Sequence, residues 1–360
     1  MQTGRPILLV SRGLDPVGSG CELELIAAGL AAAGLPVELA ITTTRGSVPE
    51  RLAARGCVVH RLGRRPVVDA GSTVRLMGLA SRLRPQVILG FGRSQIGPVL
   101  VARRCAVGSR AAMRVGVAPS GYRQAWMLRR LDCVIATSPA VAAACRRAGV
   151  VPARTAVVLP GIARLDGAGL SRPEVAARLG LDVAKHWTLA VAPLEPASHL
   201  QRLLWAIDQL GVVRKDVQHV LVGSGPLLHA IWRRARAQEL AERLLILPRG
   251  DLLPDLLDQA VIVWQSGEVA LGGCLLDGMA RGLPAVAVES EAARQAISDG
   301  ETGRIVPPVP ETEFPRRVFG ILEDNTLAGR YAAAAAKRAA ASFGADRMLT
   351  ELLTALALPR

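Results

Sequence analysis

Short apolar, β-rich runs alternate with amphipathic stretches along nearly the whole chain. In the first half the runs are Ile7–Ser11, Val37–Thr42, Cys57–His60, Val87–Gly90, Cys133–Thr137 and Ala156–Leu159. In the second half they are Trp187–Ala192, His219–Gly223, Leu244–Leu247, Val261–Trp264 and Pro284–Val288. The clearest helical stretch runs from Glu22 to Ala33 and stops at Gly34, where a helix end takes a left-handed residue without steric cost. Strands alternating with helices predict βαβ units and parallel sheets. At Pro160-Gly161 the pattern lapses into a stretch containing glycine and proline, Gly161 to Pro173, read as a linker, and then restarts. The expected fold is therefore α/β, with two Rossmann-like, doubly wound parallel-sheet domains at residues 1–165 and 166–340. An Ala-rich helix (Tyr331 to Ala341) and another near Met348–Leu358 close the chain. Residues 341–360 are expected as a C-terminal helix free to cross back to the first domain.

Composition narrows this picture. A chain of 360 residues, 50% apolar, is too long for one ordinary core and too apolar for disorder. Uncharged stretches such as Leu25 to Val37 fall short of the 18 or so residues of a membrane span. The chain enters its first strand almost at once, so no secretory signal is expected. Six scattered cysteines without a CxxC pair point to reduced thiols rather than disulfides or zinc, and so to the cytoplasm.

The formal charge of +14 is carried almost wholly by arginine, since the lysines are only Lys185, Lys215 and Lys337. From Val101 to Thr155 ten arginines stand against one acid, Asp132. Such a patch attracts an anionic membrane, a phosphorylated acceptor or nucleic acid. Aromatics are 3% of the chain, too few for base-stacking platforms, so no nucleic-acid partner is expected.

Glycine-rich turns follow two strands: Gly18-Ser19-Gly20-Cys21-Glu22 and Gly223-Ser224-Gly225-Pro226-Leu227. Neither completes GxGxxG, whose third glycine falls on Leu23 and Leu228, which weakens a dehydrogenase-like reading. A tight turn needed only for packing explains each as well as a ligand does. A third site is richer. Glu268 lies on a loop, Gly272 and Gly273 precede a short helix beginning near Cys274, and Asp277 follows one turn in. That pattern allows a diphosphate at the helix start and sugar or ribose hydroxyls on Asp277. Plain solvation of Glu268 and a helix-dipole role for Asp277 are the competing account.

At these residues the sequence resembles GT-B glycosyltransferases of the large retaining family 4. Val222-Gly223-Ser224-Gly225-Pro226-Leu227 is similar to the family's "VGxGPL". The run from Leu276 to Val286 is similar to "LEAMAxGxPVV", and Asp299 to Pro308 to "DGxTGxLVPP". In the first half, Ser19-Gly20-Cys21-Glu22 partly matches "GGxE", and Pro160-Gly161-Ile162 is similar to "PNGV". The resemblance implies two domains facing across a cleft and transfer of a sugar, with retention, from a nucleotide-sugar donor. It implies no metal and no separate cofactor. Glu268 and Asp277 are the expected catalytic carboxylates. Gly223, Gly225, Gly272, Gly273, Cys274, Asp277, His199 and Arg202 are expected at the donor, and Ser19, Gly20 and Glu22 on the acceptor side. The acceptor is expected to be acidic or membrane-borne, with peripheral contact at the inner face of the membrane.

This chain also departs from the family pattern. The paired glutamates fall on Val269 and Asp277. The diphosphate-clamping Arg and Lys of "GRLxxxKG" fall on Pro193 and Ser198, with Glu195 between them. Gln295 replaces a usual glutamate, and Val115 to Pro119 lacks the usual histidine. Two lost charge-assisted contacts remove about 1.5–3 kcal/mol each. The alternative reading is thus a GT-B pseudoenzyme that binds or regulates. Of the histidines, His219 reads as core; His199 reads first as a surface histidine and second as a partial replacement for the lost cations, and Arg202, one turn later, is another candidate substitute.

Overall fold

The computed structural model describes residues 4–13, 19–43, 52, 57–65, 69–162, 169–247, 252–267 and 274–358, apart from the side chains of residues 19–21 and 274. The chain divides into two compact units, Met1–Gly161 with Ala345–Arg360, and Ile162–Gly344. The sequence reading set these divisions at 165 and 340.

The first unit holds β1 (Ile7–Ser11), β2 (Val37–Ile41), β3 (Val58–Arg61), β4 (Val87–Phe91), β5 (Arg110–Val115), β6 (Cys133–Ala136) and β7 (Thr155–Val157). All are parallel, in the order β3-β2-β1-β4-β5-β6-β7. Side chains alternate across the sheet. Ile7 and Leu9 pack with Leu23, Ile26 and Leu30 of α1 (Ser19–Ala32). Leu8 and Val10 pack on the other face with residues of α2 (Ala70–Leu83) and α3 (Ile96–Cys105). Burial on both faces is why the strands read as unbroken apolar runs. Two further helices follow, α4 (Tyr122–Leu128) and α5 (Pro139–Arg147).

The second unit holds β8 (His186–Val191), β9 (Val217–Val222), β10 (Leu244–Leu247), β11 (Ile262–Gln265), β12 (Ala285–Val288) and β13 (Gly303–Val306). These are also all parallel, in the order β10-β9-β8-β11-β12-β13. Around them lie α6 (Arg172–Leu179), α7 (Leu200–Val213), α8 (Leu228–Ala237), α9 (Leu253–Gln259), α10 (Cys274–Ala280), α11 (Glu291–Ala296), α12 (Glu313–Glu323) and α13 (Asn325–Ser342). His219 is a core residue. Its Nδ1 lies 2.7 Å from the Thr188 hydroxyl, and its ring centroid 5.3 Å from that of Trp264. Burial, helped by the Arg243 charge, pushes the imidazole down to about 3, so it stays neutral.

Two strands, β5 and β13, escape the sequence pattern. In β5 the run Arg-Ala-Ala-Met-Arg-Val carries two arginines and a single β-branched residue. The four-residue β13 grows out of the Asp299–Thr302 turn. That turn is held by its own side chains: Asp299 accepts from the Ile305 N–H at 2.9 Å, and Thr302 Oγ1 accepts from the Ser298 N–H at 2.9 Å. The signature resembling "DGxTGxLVPP" is thus, in this chain, turn chemistry that starts an edge strand.

The last helix, α14 (Ala345–Leu356), belongs to the first unit. Met348, Leu352, Leu353 and Leu356 share one core with Ile7, Leu9 and Ile26. Arg110 Nη1 donates to the Leu356 carbonyl at 2.7 Å, which anchors the helix end to β5. Among the described residues no helix is long and apolar enough to cross a membrane.

Candidate active site

In an open parallel sheet, ligands collect at the carboxyl ends of the strands where the strand order reverses. In the second unit that point lies between β8 and β11. Here three loops are in backbone contact. A Cβ on Gly223 would overlap the Ala192 carbonyl oxygen, and one on Gly225 would stand 2.5 Å from the Leu194 oxygen. The Leu194 N–H donates to Ser224 O at 2.9 Å, and the Leu227 N–H to Leu194 O at 3.0 Å. On the other flank, a Cβ on Gly267 would stand 2.6 Å from Ala197 O, and Ser266 Oγ donates to Ser198 O at 2.8 Å. Gly223 and Gly225 therefore have a packing use of their own, whatever they bind.

The positions that the resemblance assigns to phosphate-clamping cations are tied to each other. Ser198 is buried, and its hydroxyl donates to the Pro193 carbonyl at 2.6 Å. His199 stands where "GRLxxxKG" has glycine, and its φ of 46° is the left-handed conformation that glycine takes freely. Its ring is exposed. Arg202, in the first turn of α7, reaches across to β11 and donates from Nη1 to the Ser266 carbonyl at 3.0 Å. Its Nε is buried without a hydrogen-bond partner and lies 3.9 Å from the Glu311 carboxylate. An open cavity of about 340 Å³ adjoins these groups, lined by Glu195, His199, Arg202, Leu227, Arg234 and Glu311 among others. The structure thus brings His199 and Arg202 together and leaves Pro193 and Ser198 without charge.

Asp277 lies in the first turn of α10 and is 7% exposed. Burial pushes its carboxyl up to about 7, against the opposing pull of the Arg281 guanidinium. Arg281 itself pairs with Asp258 at 2.8 Å. Near neutral pH the Asp277 carboxyl exchanges between a hydrogen-bond donor and a pure acceptor. Glu268, Val269, Gly272 and Gly273 lie outside the described residues, and of Cys274 only the backbone is described, as the first residue of α10.

In the first unit, Ser19 and Gly20 open α1, where only their backbone is described. Glu22 is committed to Arg114. The arginine, 3% exposed, donates from Nε to Glu22 Oε1 at 3.0 Å and again from Nη2, while Nη1 donates to Val158 O at 2.6 Å. Arg114 is therefore a buried strut joining α1, β5 and the end of β7, a role that sequence reasoning missed by counting it with the surface patch. The available signal was an arginine amid the apolar Ala111–Val117. Of the other arginines in that stretch, Arg103 pairs with Asp132 at 2.8 Å, and Arg110 anchors α14. Arg104, Arg123, Arg129, Arg130, Arg146, Arg147 and Arg154 are exposed. Among the described residues no group of three or more His, Cys, Asp and Glu side chains is placed to hold a metal.

Two Rossmann-like parallel sheets, each with its strand order reversing beside the first strand of its unit, define the class as a GT-B protein. The family "Glycosyl transferase 4-like domain" matches residues 18–161, and "Glycosyl transferases group 1" matches residues 185–324. With both halves matched, the chain belongs to the GT-B glycosyltransferases of these two families. Among curated relatives, the phosphatidyl-myo-inositol mannosyltransferase of Mycolicibacterium smegmatis is 30% identical over 148 residues, 40% of this chain and 38% of the relative. The alpha-D-kanosaminyltransferase of Streptomyces kanamyceticus is 28% identical over 175 residues, 48% of this chain and 45% of the relative. The matches thus span less than half the length of these relatives. Among solved structures, Anabaena HepE in complex with UDP and glucose superposes with a TM-score of 0.83 at 17% identity, covering 98% of this chain and 100% of that one. Sucrose-phosphate synthase from Thermosynechococcus elongatus gives 0.80 at 18% identity, covering 98% of each. At these identities the structural likeness speaks for the fold.

Proposed function

We propose that the protein transfers a sugar from a nucleotide-sugar donor to an acidic or membrane-borne acceptor, with retention and without a metal ion. It does so in the cytoplasm, at the inner face of the membrane. The observation that carries this reading is Arg202, a cation held at the end of β11 where the family's own clamp positions are neutral. Arg202 offsets the charge of the leaving diphosphate, the task otherwise given to a clamp or a metal. Asp277, poised near neutrality, bonds a sugar hydroxyl in either protonation state. The solved complexes of HepE with UDP and with UDP-glucose support a uridine donor as the first to try. The phosphatidyl-myo-inositol mannosyltransferase relative, by its name, supports a lipid-borne acceptor.

Calorimetric titration with UDP, GDP, ADP and their sugars tests the reading. One nucleotide series binds, and Arg202→Ala and Asp277→Ala each weaken it about tenfold or more, as expected for a lost bond to a charged group. No binding across the panel overturns it. The second reading, a GT-B protein that binds without transferring, draws on the Ser198–Pro193 hydrogen bond that occupies the clamp. Nucleotide binding without any hydrolysis or transfer of the donor sugar is its signature.

A further inference from the structure

Exposed aromatic side chains on the first unit gather on one short helix. On α4, Tyr122 is 77% exposed and Trp126, one turn later, 42%, while Ala125 and Leu128 supply the buried side. Val117 is exposed on the loop leading into the helix. The Arg130 guanidinium lies 3.5 Å over the Trp126 ring, and Arg123 is exposed on the same helix. Arg129 donates to the Ala148 carbonyl at 2.7 Å, which places it beside Arg146 and Arg147 at the end of α5. Arg93 donates to Ser120 Oγ at 3.2 Å from the other side. The acid of this stretch, Asp132, is already bound to Arg103 and to the Ala111 N–H, each at 2.8 Å. Two outward rings thus share α4 and the turn after it with Arg123 and Arg130, which no described acid of the stretch neutralises.

We infer that this face of α4 seats the protein on an anionic lipid bilayer, with Tyr122 and Trp126 in the headgroup layer and the arginines on lipid phosphates. The inference rests on the membrane-borne acceptor proposed above and names the surface and the lipid charge it needs. Tyrosine and tryptophan favour the membrane interface because each pairs an apolar ring with a polar tip. Arginine stems cover apolar surface while their heads stay with phosphate. Nucleic acid offers phosphates too, but a base stacks on an open ring face, and Arg130 occupies one face of Trp126. The helix runs from the carboxyl end of β5, at Tyr122, back to the amino end of β6, beside Arg129 and Arg130.

Co-sedimentation of the full chain with phosphatidylcholine vesicles, with and without about one third phosphatidylglycerol, tests the inference. Binding appears only with the anionic lipid and falls as salt is raised. The pairs Tyr122→Ser with Trp126→Ser, and Arg123→Ser with Arg130→Ser, each weaken it about tenfold or more while circular dichroism and melting stay unchanged. Trp232→Ser, in a comparably exposed Trp–Arg pair of the second unit, leaves it intact. Absence of binding, undiminished binding in the α4 variants, equal loss in Trp232→Ser, or displacement of the vesicles by an oligonucleotide at lower concentration overturns it. Nucleotide titration of the same variants matches the unaltered protein, so failure here is distinguishable from failure of the donor assignment.

Discussion

Asp277 is a carboxylate whose surroundings oppose its charge, and the consequence can be measured without any substrate. Folded, it titrates at about 7; unfolded, it returns to the usual value near 4. Between those values the folded state keeps a proton that the unfolded state has released, so stability is lost as pH rises through the window. The loss is complete above about 7. Asp277→Asn removes the cost of the buried charge. Denaturant melts at pH 8 should show the variant more stable, by about 4 kcal/mol at most, with the difference vanishing toward pH 4. An unchanged pH slope in the variant would mean that water or a partner reaches the carboxylate. Asp277 was legible in the sequence because it stands one turn into a helix that follows glycines. The commitment of Glu22 to Arg114 was not, since their pairing depends on a sheet register that brings β5 beside α1, 92 residues away in sequence.

At the scale of elements, the loops at the end of the second sheet show how one motif serves packing and chemistry together. The glycines of Val222–Leu227 let the turn after β9 lie on the loop after β8, which is held on its other side by Gly267 and Ser266. Gly223→Ala drives a Cβ into the Ala192 carbonyl, and both backbones are held by hydrogen bonds, Ala192 N–H to Val222 O at 3.1 Å and Gly223 N–H to Leu247 O at 2.9 Å. The expected loss is about 1–3 kcal/mol in the melt of the nucleotide-free protein. A variant that melts normally but fails to bind nucleotide would instead assign the glycine to the ligand alone. The alternation of strands and helices was readable because buried parallel strands are apolar on both faces. Strands β5 and β13 were hidden because one carries buried arginine and the other owes its existence to a turn. The closure of Ser198 onto Pro193 was beyond the pattern too: a sequence shows that a charge is missing, and only coordinates show that a hydroxyl has been spent in its place.

At the scale of the whole molecule, the first unit depends on residues from the far end of the chain. Its core holds Met348, Leu352, Leu353 and Leu356, four apolar side chains each giving about 1.5–3 kcal/mol on burial. Their sum is comparable to the entire net stability of a domain, about 5–15 kcal/mol. Among the described residues, the buried side chains of the second unit run no further than Phe343, just before the division at Gly344. Ending the chain at Gly344 should therefore act on one unit alone. In scanning calorimetry the transition of the first unit disappears or falls steeply in temperature, while that of the second remains. Leu352→Ala is the milder probe, costing about 2–5 kcal/mol in the first transition only. A truncated chain that kept both transitions would show that α14 covers a core already stable without it. The strength of this prediction comes from its asymmetry: general damage from shortening the chain would lower both transitions, whereas loss of a shared core lowers the one whose side chains were removed.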